Sequence, residues 1–227
     1  MVYISFICLL LLVIYGPQFW VQTILNRYNR KAESNFPGTG GELARHILNR
    51  YNLEDVKVEV TDQGDHYDPQ ERTVRLSRDK FEGRTLTAIT VSAHECGHAL
   101  QHAAAEPLFQ MRTRLALSAV WAQRIGSFLL FSAPLLVLMF RIPSVAVINI
   151  AGAILIMGFA VVMHLLTLPV EIDASFNKAL PILESGYLTK KQIPAARRIL
   201  RAAAWTYVAA SLATLLNFWR WLAVLRR

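Results

Sequence analysis

Residues 85–105 read TLTAITVSAHECGHALQHAAA, and the fold of the chain is predicted to be organised around this stretch. Its first half is uncharged and follows Thr85, a residue type that commonly caps the first turn of a helix. On that helix His94 and His98 are four positions apart, so their imidazoles are offset by about 40° and by about 6 Å along the axis. This spacing lets two imidazole nitrogens hold one metal ion.

The residues between the two histidines indicate which metal and which chemistry to expect. Two neutral imidazoles suit Zn²⁺, and Glu95 is placed to take a proton from a zinc-activated water and pass it to a leaving amine. This is the H-E-x-x-H pattern of metalloproteases, although the short pattern alone is only moderately specific. Gly97 leaves room for a neighbouring backbone to approach the helix. The alternative is that both histidines only make hydrogen bonds on a buried helix.

A third zinc ligand is predicted much later in the chain. Residues 168–175 read LPVEIDAS, in which Glu171 completes a His, His, Glu set that leaves one position for water. Asp173 is better suited to orienting a ligand histidine by accepting its free N–H. His102 is a rival ligand, but eight residues of continuous helix put it about 12 Å from His94, too far for three imidazoles to share one ion. It is expected in a supporting position beside the cleft.

Composition separates several broad classes of protein. The 227 residues carry a net charge of +8, with 54% apolar and only 18% charged residues. Nucleic-acid binding is not expected, because no pattern of aromatic and basic residues lies outside the apolar segments. The excess of Lys and Arg is more typical of membrane-protein loops on the cytoplasmic side. The two cysteines give neither a disulfide framework nor a C-x-x-C zinc pattern.

Long apolar runs predict membrane-spanning helices, because about 20 consecutive apolar residues cross a hydrocarbon core of about 30 Å. A hairpin of two such helices returns the chain to its starting side, which lets Glu171 rejoin the H-E-x-x-H helix. Basic residues directly after the first run place that side in the cytoplasm. The predicted organisation is a transmembrane anchor at 1–22, a cytoplasmic metallopeptidase domain at 23–114, a transmembrane hairpin at 115–169, a cytoplasmic segment with the third ligand at 170–201, and a transmembrane or membrane-associated helix at 202–223.

The predicted cytoplasmic domain begins with a short helix and two strands. Thr39 and Glu42 form a capping-box start for the helix. Segments 56–60 and 73–77 have the pattern of strands and are expected to pair as a ribbon, with a turn over 62–71 between them. The predicted fold class is therefore a mainly α membrane protein of about four transmembrane helices. It carries a small α+β zincin-like domain that contains the β ribbon and the H-E-x-x-H helix.

Several sequence boxes together resemble the YugP-type neutral zinc metallopeptidases of bacteria. The resemblance covers about residues 38–216, and its boxes occur in one order. They are DHYDP at 65–69, TVRLS at 73–77, AHECGHALQH at 93–102, LPVEIDAS at 168–175 and AAAWTYVAASL at 202–212. The order of parts is also similar to the HtpX family of membrane gluzincins, in which a membrane hairpin separates the zinc helix from a glutamate ligand.

The resemblance implies roles for particular residues. It implies that His94 and His98 are ligands, that Glu95 is the catalytic base and that Glu171 is the third ligand. In HtpX-like proteins an aspartate lies four residues after the ligand glutamate. Here position 175 is serine and the aspartate is Asp173.

The combined expectation is an integral membrane zinc metalloendopeptidase with one Zn²⁺ per chain. Its expected partners are a polypeptide substrate and the lipid bilayer, with the active site at the cytoplasmic face of a bacterial cell membrane. Tyr67 or His102 could stabilise the developing oxyanion, and the sequence does not select between them. Substrate specificity and oligomeric state are also left open.

Two other functions stay open on the residues alone. One is a catalytically silent, zinc-stabilised membrane scaffold, although a structural zinc site has no need of a general base such as Glu95. The other is an intramembrane protease of the site-2 type, whose motif should lie inside a spanning helix. The charged residues Lys80, Glu82 and Arg84 closely precede the motif, and they favour a position at the membrane interface.

Overall fold

The computed structural model describes residues 2–30, 36–140 and 143–206. This part of the chain is mainly helical and contains one small sheet. In chain order its elements are α1 (Val2–Asn29), α2 (Gly40–Arg50), β1 (Lys57–Val60), β2 (His66–Asp68), β3 (Thr73–Leu76), α3 (Arg78–Phe81), α4 (Leu86–Ala103), α5 (Pro107–Phe140), α6 (Pro143–Ile172), a first π-helix (Asp173–Ala179), α7 (Leu180–Ile182) and a second π-helix (Leu183–Tyr187). Residues 193–206 are helical again.

The described residues divide into two compact units. The helical unit comprises residues 2–18, 112–140 and 143–167. In it, Asn149 of α6 donates a hydrogen bond to the Ser132 hydroxyl of α5 at 3.3 Å. Several large apolar side chains of this unit are exposed, among them Trp121, Phe128, Leu138, Ile148 and Leu155. The sheet-containing unit comprises residues 19–30, 36–111 and 168–206, and it holds every residue predicted for the metal site.

Two helices of the sheet-containing unit begin where the sequence predicts. The Thr39 hydroxyl accepts from the Glu42 backbone N–H at 3.3 Å, and the Glu42 carboxylate accepts from the Thr39 backbone N–H at 2.7 Å. Both halves of the predicted capping box are therefore confirmed at the start of α2. At the start of α4 the Thr85 hydroxyl accepts from the Ala88 N–H at 3.0 Å, which confirms Thr85 as the N-cap.

Helix α4 is the central element of its unit. Every residue from Leu86 to Ala99 is buried, as expected of a helix with apolar or small residues on all sides. Helix α2 packs closely against it, because a side chain at Gly40 would meet the Ser92 hydroxyl at 2.6 Å and the Ala88 carbonyl at 3.0 Å. The helix that carries the H-E-x-x-H motif is therefore surrounded by the packed core of its unit.

The sheet is more complex than a ribbon. The predicted strands do pair, but β1 and β3 run parallel, with Lys57 opposite Thr73. The connection between them contributes β2, which pairs antiparallel on the other side of β3 and places Tyr67 opposite Val74. A parallel pair needs a crossover connection, and the segment predicted as a turn supplies it. The sheet order is β1-β3-β2, so β2 is an edge strand.

The predicted architecture of about four transmembrane helices is wrong. A crossing requires about 20 predominantly apolar residues within one helix. Over residues 2–30, 36–140 and 143–206, the structure contains no helix whose length and apolar character together suffice for a crossing. Helix α5, which takes in the first arm of the predicted hairpin, includes Arg112, Arg114 and Arg124. Most of the predicted fourth span, residues 207–223, lies outside the described residues. The mainly helical character and the small sheet are what the structure supports.

Candidate metal centre

Three buried side chains from two helices converge at one point. His94 and His98 lie on α4, and Glu171 lies at the end of α6. The Glu171 Oε2 atom is 3.3 Å from Nε2 of His94 and 3.3 Å from Nε2 of His98. One potential ligand atom of each residue lies within 4.8 Å of the other two. The structure therefore brings together the three residues that the sequence predicts as zinc ligands.

The chemistry of this trio suits a metal ion. Glu171 is fully buried and each of the two histidines is 3% exposed, and a carboxylate in such a place is costly unless it is paired or binds a metal. The two rings are inclined at 75° with centroids 4.8 Å apart, so they meet edge to face and do not stack. Two imidazole nitrogens and a carboxylate oxygen are a donor set of catalytic zinc sites, which keep a fourth position open. The residues present fit Zn²⁺.

Close packing of α4 on the first π-helix sets the distance between the histidines and Glu171. A side chain at Gly97 would meet the Ala174 carbonyl oxygen at 2.7 Å, so residue 97 has no room for a methyl group. The predicted close approach at Gly97 is thereby confirmed. The π-helix begins at Asp173, two residues after Glu171. Such i→i+5 segments are frequent at functional sites because they change the direction in which side chains point.

Ser175 of the first π-helix orients His94. Its Oγ lies 3.1 Å from His94 Nδ1 and 3.3 Å from the Leu200 carbonyl oxygen. A carbonyl oxygen can only accept, so the hydroxyl donates to Leu200 and accepts from the Nδ1–H of His94. The Nε2 atom of His94 then keeps its lone pair on the side of Glu171. Ser175 stands four residues after Glu171, at the position where HtpX-like proteins have an aspartate.

The sequence predicts a direct contact between Asp173 and a ligand histidine, but in the structure Asp173 is linked to His98 through Gln101. It accepts a hydrogen bond from the Gln101 side-chain amide at 2.8 Å, and it does not face an imidazole directly. The Gln101 Oε1 atom lies 2.9 Å from His98 Nδ1. Gln101 therefore stands between Asp173 and His98. Burial opposes ionisation of Asp173, but hydrogen bonds from Asn177 and Gln101 outweigh it and hold the pKa of this carboxyl below its ordinary value.

Glu95 and Cys96 share the turn of α4 that carries the histidines. Glu95 is 6% exposed and directly follows His94. The Cys96 thiol is fully buried and donates to the Ala44 carbonyl oxygen at 3.6 Å. Burial, followed by the charge of Glu95, raises the pKa of this thiol far above its ordinary value. Cys96 is therefore a small core residue whose thiol faces the backbone of α2.

His102 is not a member of the trio. Its Nδ1 atom lies 2.8 Å from the Tyr67 hydroxyl on strand β2, and its ring stacks on Phe109 with centroids 5.5 Å apart. Phe109 also lies beside His98, at 6.1 Å between centroids. Burial is the main reason that the pKa of His102 is lowered, and the charge of Arg72 lowers it further. The two oxyanion candidates from the sequence, Tyr67 and His102, are thus hydrogen-bonded to each other.

Sequence reasoning missed the contacts that Gln101 and Ser175 make with the ligand histidines. A signal existed for Gln101, which stands three residues after His98 and so on the same face of α4. For Ser175 the signal is the position itself, four residues after Glu171. Neither residue type is diagnostic by itself, and only the folded chain brings each one to an imidazole.

Comparison with known proteins identifies the family of the chain. A family model described as "Putative neutral zinc metallopeptidase" matches residues 3–226. The chain is 35% identical over 211 residues to a Bacillus subtilis (strain 168) protein described as "Putative membrane protease YugP", and the match covers 91% of this chain and 89% of the relative. No solved structure matches the chain. Because the family model covers nearly the whole sequence, the resemblance predicted from its boxes is confirmed, and the chain belongs to the neutral zinc metallopeptidase family that this model describes.

Proposed function

We propose that the protein is a zinc metalloendopeptidase in which His94, His98 and Glu171 hold the metal and Glu95 is the general base. The observation that carries this proposal is the convergence of three buried ligand atoms within 4.8 Å, two of them on the helix that also carries Glu95. Membership of a family described as zinc metallopeptidases supports the same reaction class. The predicted polypeptide substrate is part of the proposal.

The ligand residues divide the task between them. When bound, Zn²⁺ supplies a Lewis acid that polarises the scissile carbonyl and lowers the pKa of water toward about 7. His94 and His98 contribute neutral nitrogens, and Glu171 contributes one negative charge. Their burial keeps competing solvent away from the ligand atoms, which strengthens the electrostatic interactions there.

Glu95 carries the proton. Its carboxylate accepts a proton from the water that attacks the peptide carbonyl, and then donates that proton to the leaving amine. The nucleophile is water, so no acyl-enzyme forms and no serine or cysteine nucleophile is needed. This agrees with the burial of the Cys96 thiol.

The test combines metal binding with proteolysis by the full-length protein. Wild type should bind about one zinc per chain and cleave an unfolded polypeptide, and zinc should raise its melting temperature, because a ligand that binds only the folded state stabilises it. Glu171→Ala should lose both the zinc-dependent stabilisation and the activity. Glu54→Gln, at an exposed glutamate of the same unit, is the control and should behave as wild type. Full zinc affinity in Glu171→Ala would remove Glu171 as a ligand.

A further inference from the structure

The Gln101 side chain occupies a buried position with partners on three sides. It is 1% exposed, and its Oε1 atom lies 2.9 Å from His98 Nδ1. Its Nε2 atom donates to the Val170 carbonyl oxygen at 3.0 Å and to the Asp173 carboxylate at 2.8 Å. One amide therefore joins a histidine of α4 to the backbone and side chain on either side of Glu171.

These partners determine which way the amide faces. The Val170 carbonyl can only accept a hydrogen bond, so the NH₂ group of Gln101 must face it, and the same NH₂ group then faces the Asp173 side chain. Its oxygen must then face His98, and an oxygen there requires a proton on Nδ1. The Nε2 atom of His98 is left with its lone pair directed toward Glu171.

The Asp173 carboxylate, which accepts from Gln101, is itself held in place by other side chains. Asp173 also accepts from the Asn177 amide at 2.7 Å and lies 3.8 Å from the Lys178 ammonium. Lys178 in turn forms an ion pair with Glu106 at 2.7 Å, just after the end of α4. These contacts hold the Asp173 carboxylate in its orientation beside Gln101.

The hydrogen bonds run in the same direction at the other histidine. The Ser175 hydroxyl donates to the Leu200 carbonyl and therefore accepts from Nδ1–H of His94. Both imidazoles therefore have Nδ1–H, and both Nε2 lone pairs meet the Glu171 oxygen. Two imidazole nitrogens and a carboxylate oxygen that meet in a buried place form a donor set that suits Zn²⁺.

We propose that Gln101 is a positioning residue of the metal centre, which fixes His98 in the Nδ1–H form and couples it to the segment that presents Glu171. This inference rests on the proposed zinc site. It also explains why Asp173 does not need to contact a histidine. Asp173 orients the Gln101 amide, and the amide oxygen accepts from His98.

A variant with nearly the same shape tests the proposal. Gln101→Met keeps the length of the side chain but removes both hydrogen-bonding groups. We expect its zinc affinity, measured by competition with a chelator, to fall by about 10–100-fold. Gln110→Met is the matched control, because Gln110 is exposed, and its affinity should equal that of wild type.

A second readout is the protonation of the ring itself. Nitrogen-15 NMR of the zinc-free protein distinguishes Nδ1–H from Nε2–H imidazoles. Wild type should show the Nδ1–H form at His94 and His98, and Gln101→Met should lose it at His98 alone. We call the hydrogen bonds that join Asp173 and the Val170 carbonyl to His98 through Gln101 the relay. A change in packing alone, with the relay intact, would not alter the tautomer of one histidine selectively.

A charge-neutral exchange separates the relay from simple damage to the fold. Gln101→Glu places a second carboxylate at the 2.8 Å contact with Asp173 and should weaken zinc binding strongly. Adding Asp173→Asn restores a donor opposite the new acceptor without changing the net charge, so the double variant should bind zinc more tightly than Gln101→Glu alone.

The outcomes separate this inference from the proposed function. If wild type binds zinc, while Gln101→Met matches it in affinity and keeps the His98 tautomer, the relay is overturned and the zinc site stands. Failure of Asp173→Asn to improve the Gln101→Glu variant would also overturn it. If wild type binds no zinc, the proposed function fails, and the tautomers of the zinc-free protein still decide whether Gln101 orients His98.

Discussion

Gly97 of α4 and Ala174 of the first π-helix approach so closely that a methyl group on residue 97 would lie 2.7 Å from the Ala174 carbonyl oxygen. Gly97 stands directly before His98, and Ala174 stands three residues after Glu171. The close approach of the two backbones therefore fixes how far the imidazoles lie from the carboxylate. Gly97 is not itself a ligand, but its close packing against Ala174 determines the geometry of the metal centre.

The first expected outcome concerns this contact. Gly97→Ala adds one methyl group where the backbone cannot yield, and should cost about 1–3 kcal/mol of stability together with part of the zinc affinity. The intrinsic helix preference of alanine works in the opposite direction and is the smaller effect, at about 1 kcal/mol. Urea unfolding and zinc competition measure the two losses.

Gly152→Ala is the matched control, because the added methyl at this α6 position meets no atom within 4 Å. It should leave stability unchanged or slightly raised. A Gly97→Ala protein as stable as the Gly152→Ala protein, with full zinc affinity, would contradict the packing argument.

A second expected outcome concerns the hydroxyl that orients His94. Ser175→Ala removes the acceptor of the Nδ1–H group and leaves the Leu200 carbonyl without this donor. Zinc affinity should fall by about 10–100-fold. Ser185→Ala removes a hydroxyl that donates to the Ile182 carbonyl, away from the histidines, and should leave zinc affinity unchanged. Equal affinities in the two variants would show that Ser175 does not orient His94.

The N-cap of α4 gives a third expected outcome, on stability alone. The Thr85 hydroxyl caps the Ala88 N–H at 3.0 Å and donates to the Asn29 side chain at 2.6 Å. Thr85→Ala should destabilise the protein by about 1 kcal/mol, while Thr85→Ser keeps the hydroxyl and should lose much less. Chemical denaturation of both variants measures the difference. An alanine variant as stable as the serine variant would contradict the role of this cap.

The fourth expected outcome concerns acid stability. Burial opposes ionisation of Asp68, but hydrogen bonds from the backbone of Glu71 and Gln70 and from Arg75 outweigh it and hold the pKa below its ordinary value of 3.8. The unfolded chain thus binds the proton more readily, so the stabilisation is present above the unfolded pKa and is lost as pH falls through the folded pKa.

Asp68→Asn removes this titration. Its unfolding free energy should be lower than that of wild type near neutral pH, and should decrease less between about pH 5 and about pH 2. Denaturant midpoints of the two proteins across this range provide the test. Parallel decreases in both proteins would exclude Asp68 as a contributor.

Local patterns were sufficient for much of the fold. Thr39 and Thr85 could be assigned as caps because the capping hydrogen bonds join residues within one turn. The His94 and His98 pair needed only the helical repeat. Glu171 was predicted as their partner because its carboxylate completes a known zinc donor set, even though it is far away in the sequence.

Contacts that depend on tertiary packing were harder to predict. Strand β2 has only three residues, 66–68, which is too short an alternation to predict a strand from the sequence. The parallel pairing of β1 with β3 depends on where β2 docks, so it could not be predicted either. Gln101 and Ser175 are common polar residues, and their partners come from segments 69 and 81 residues away. The apolar runs predicted membrane spans that the described residues do not form, because such a run does not show which charged residues its helix will also include, as α5 includes Arg112, Arg114 and Arg124.

The most direct test of the central claim is the rate of peptide hydrolysis by Glu95→Gln at measured zinc occupancy, beside wild type and the exposed-site control Glu54→Gln. The substitution keeps the size of the side chain and removes the base. We expect full zinc occupancy, wild-type stability and a loss of activity of about 10²–10⁴-fold for Glu95→Gln alone. Wild-type activity in a zinc-loaded Glu95→Gln protein would contradict the proposed role of Glu95 as the base of a zinc peptidase.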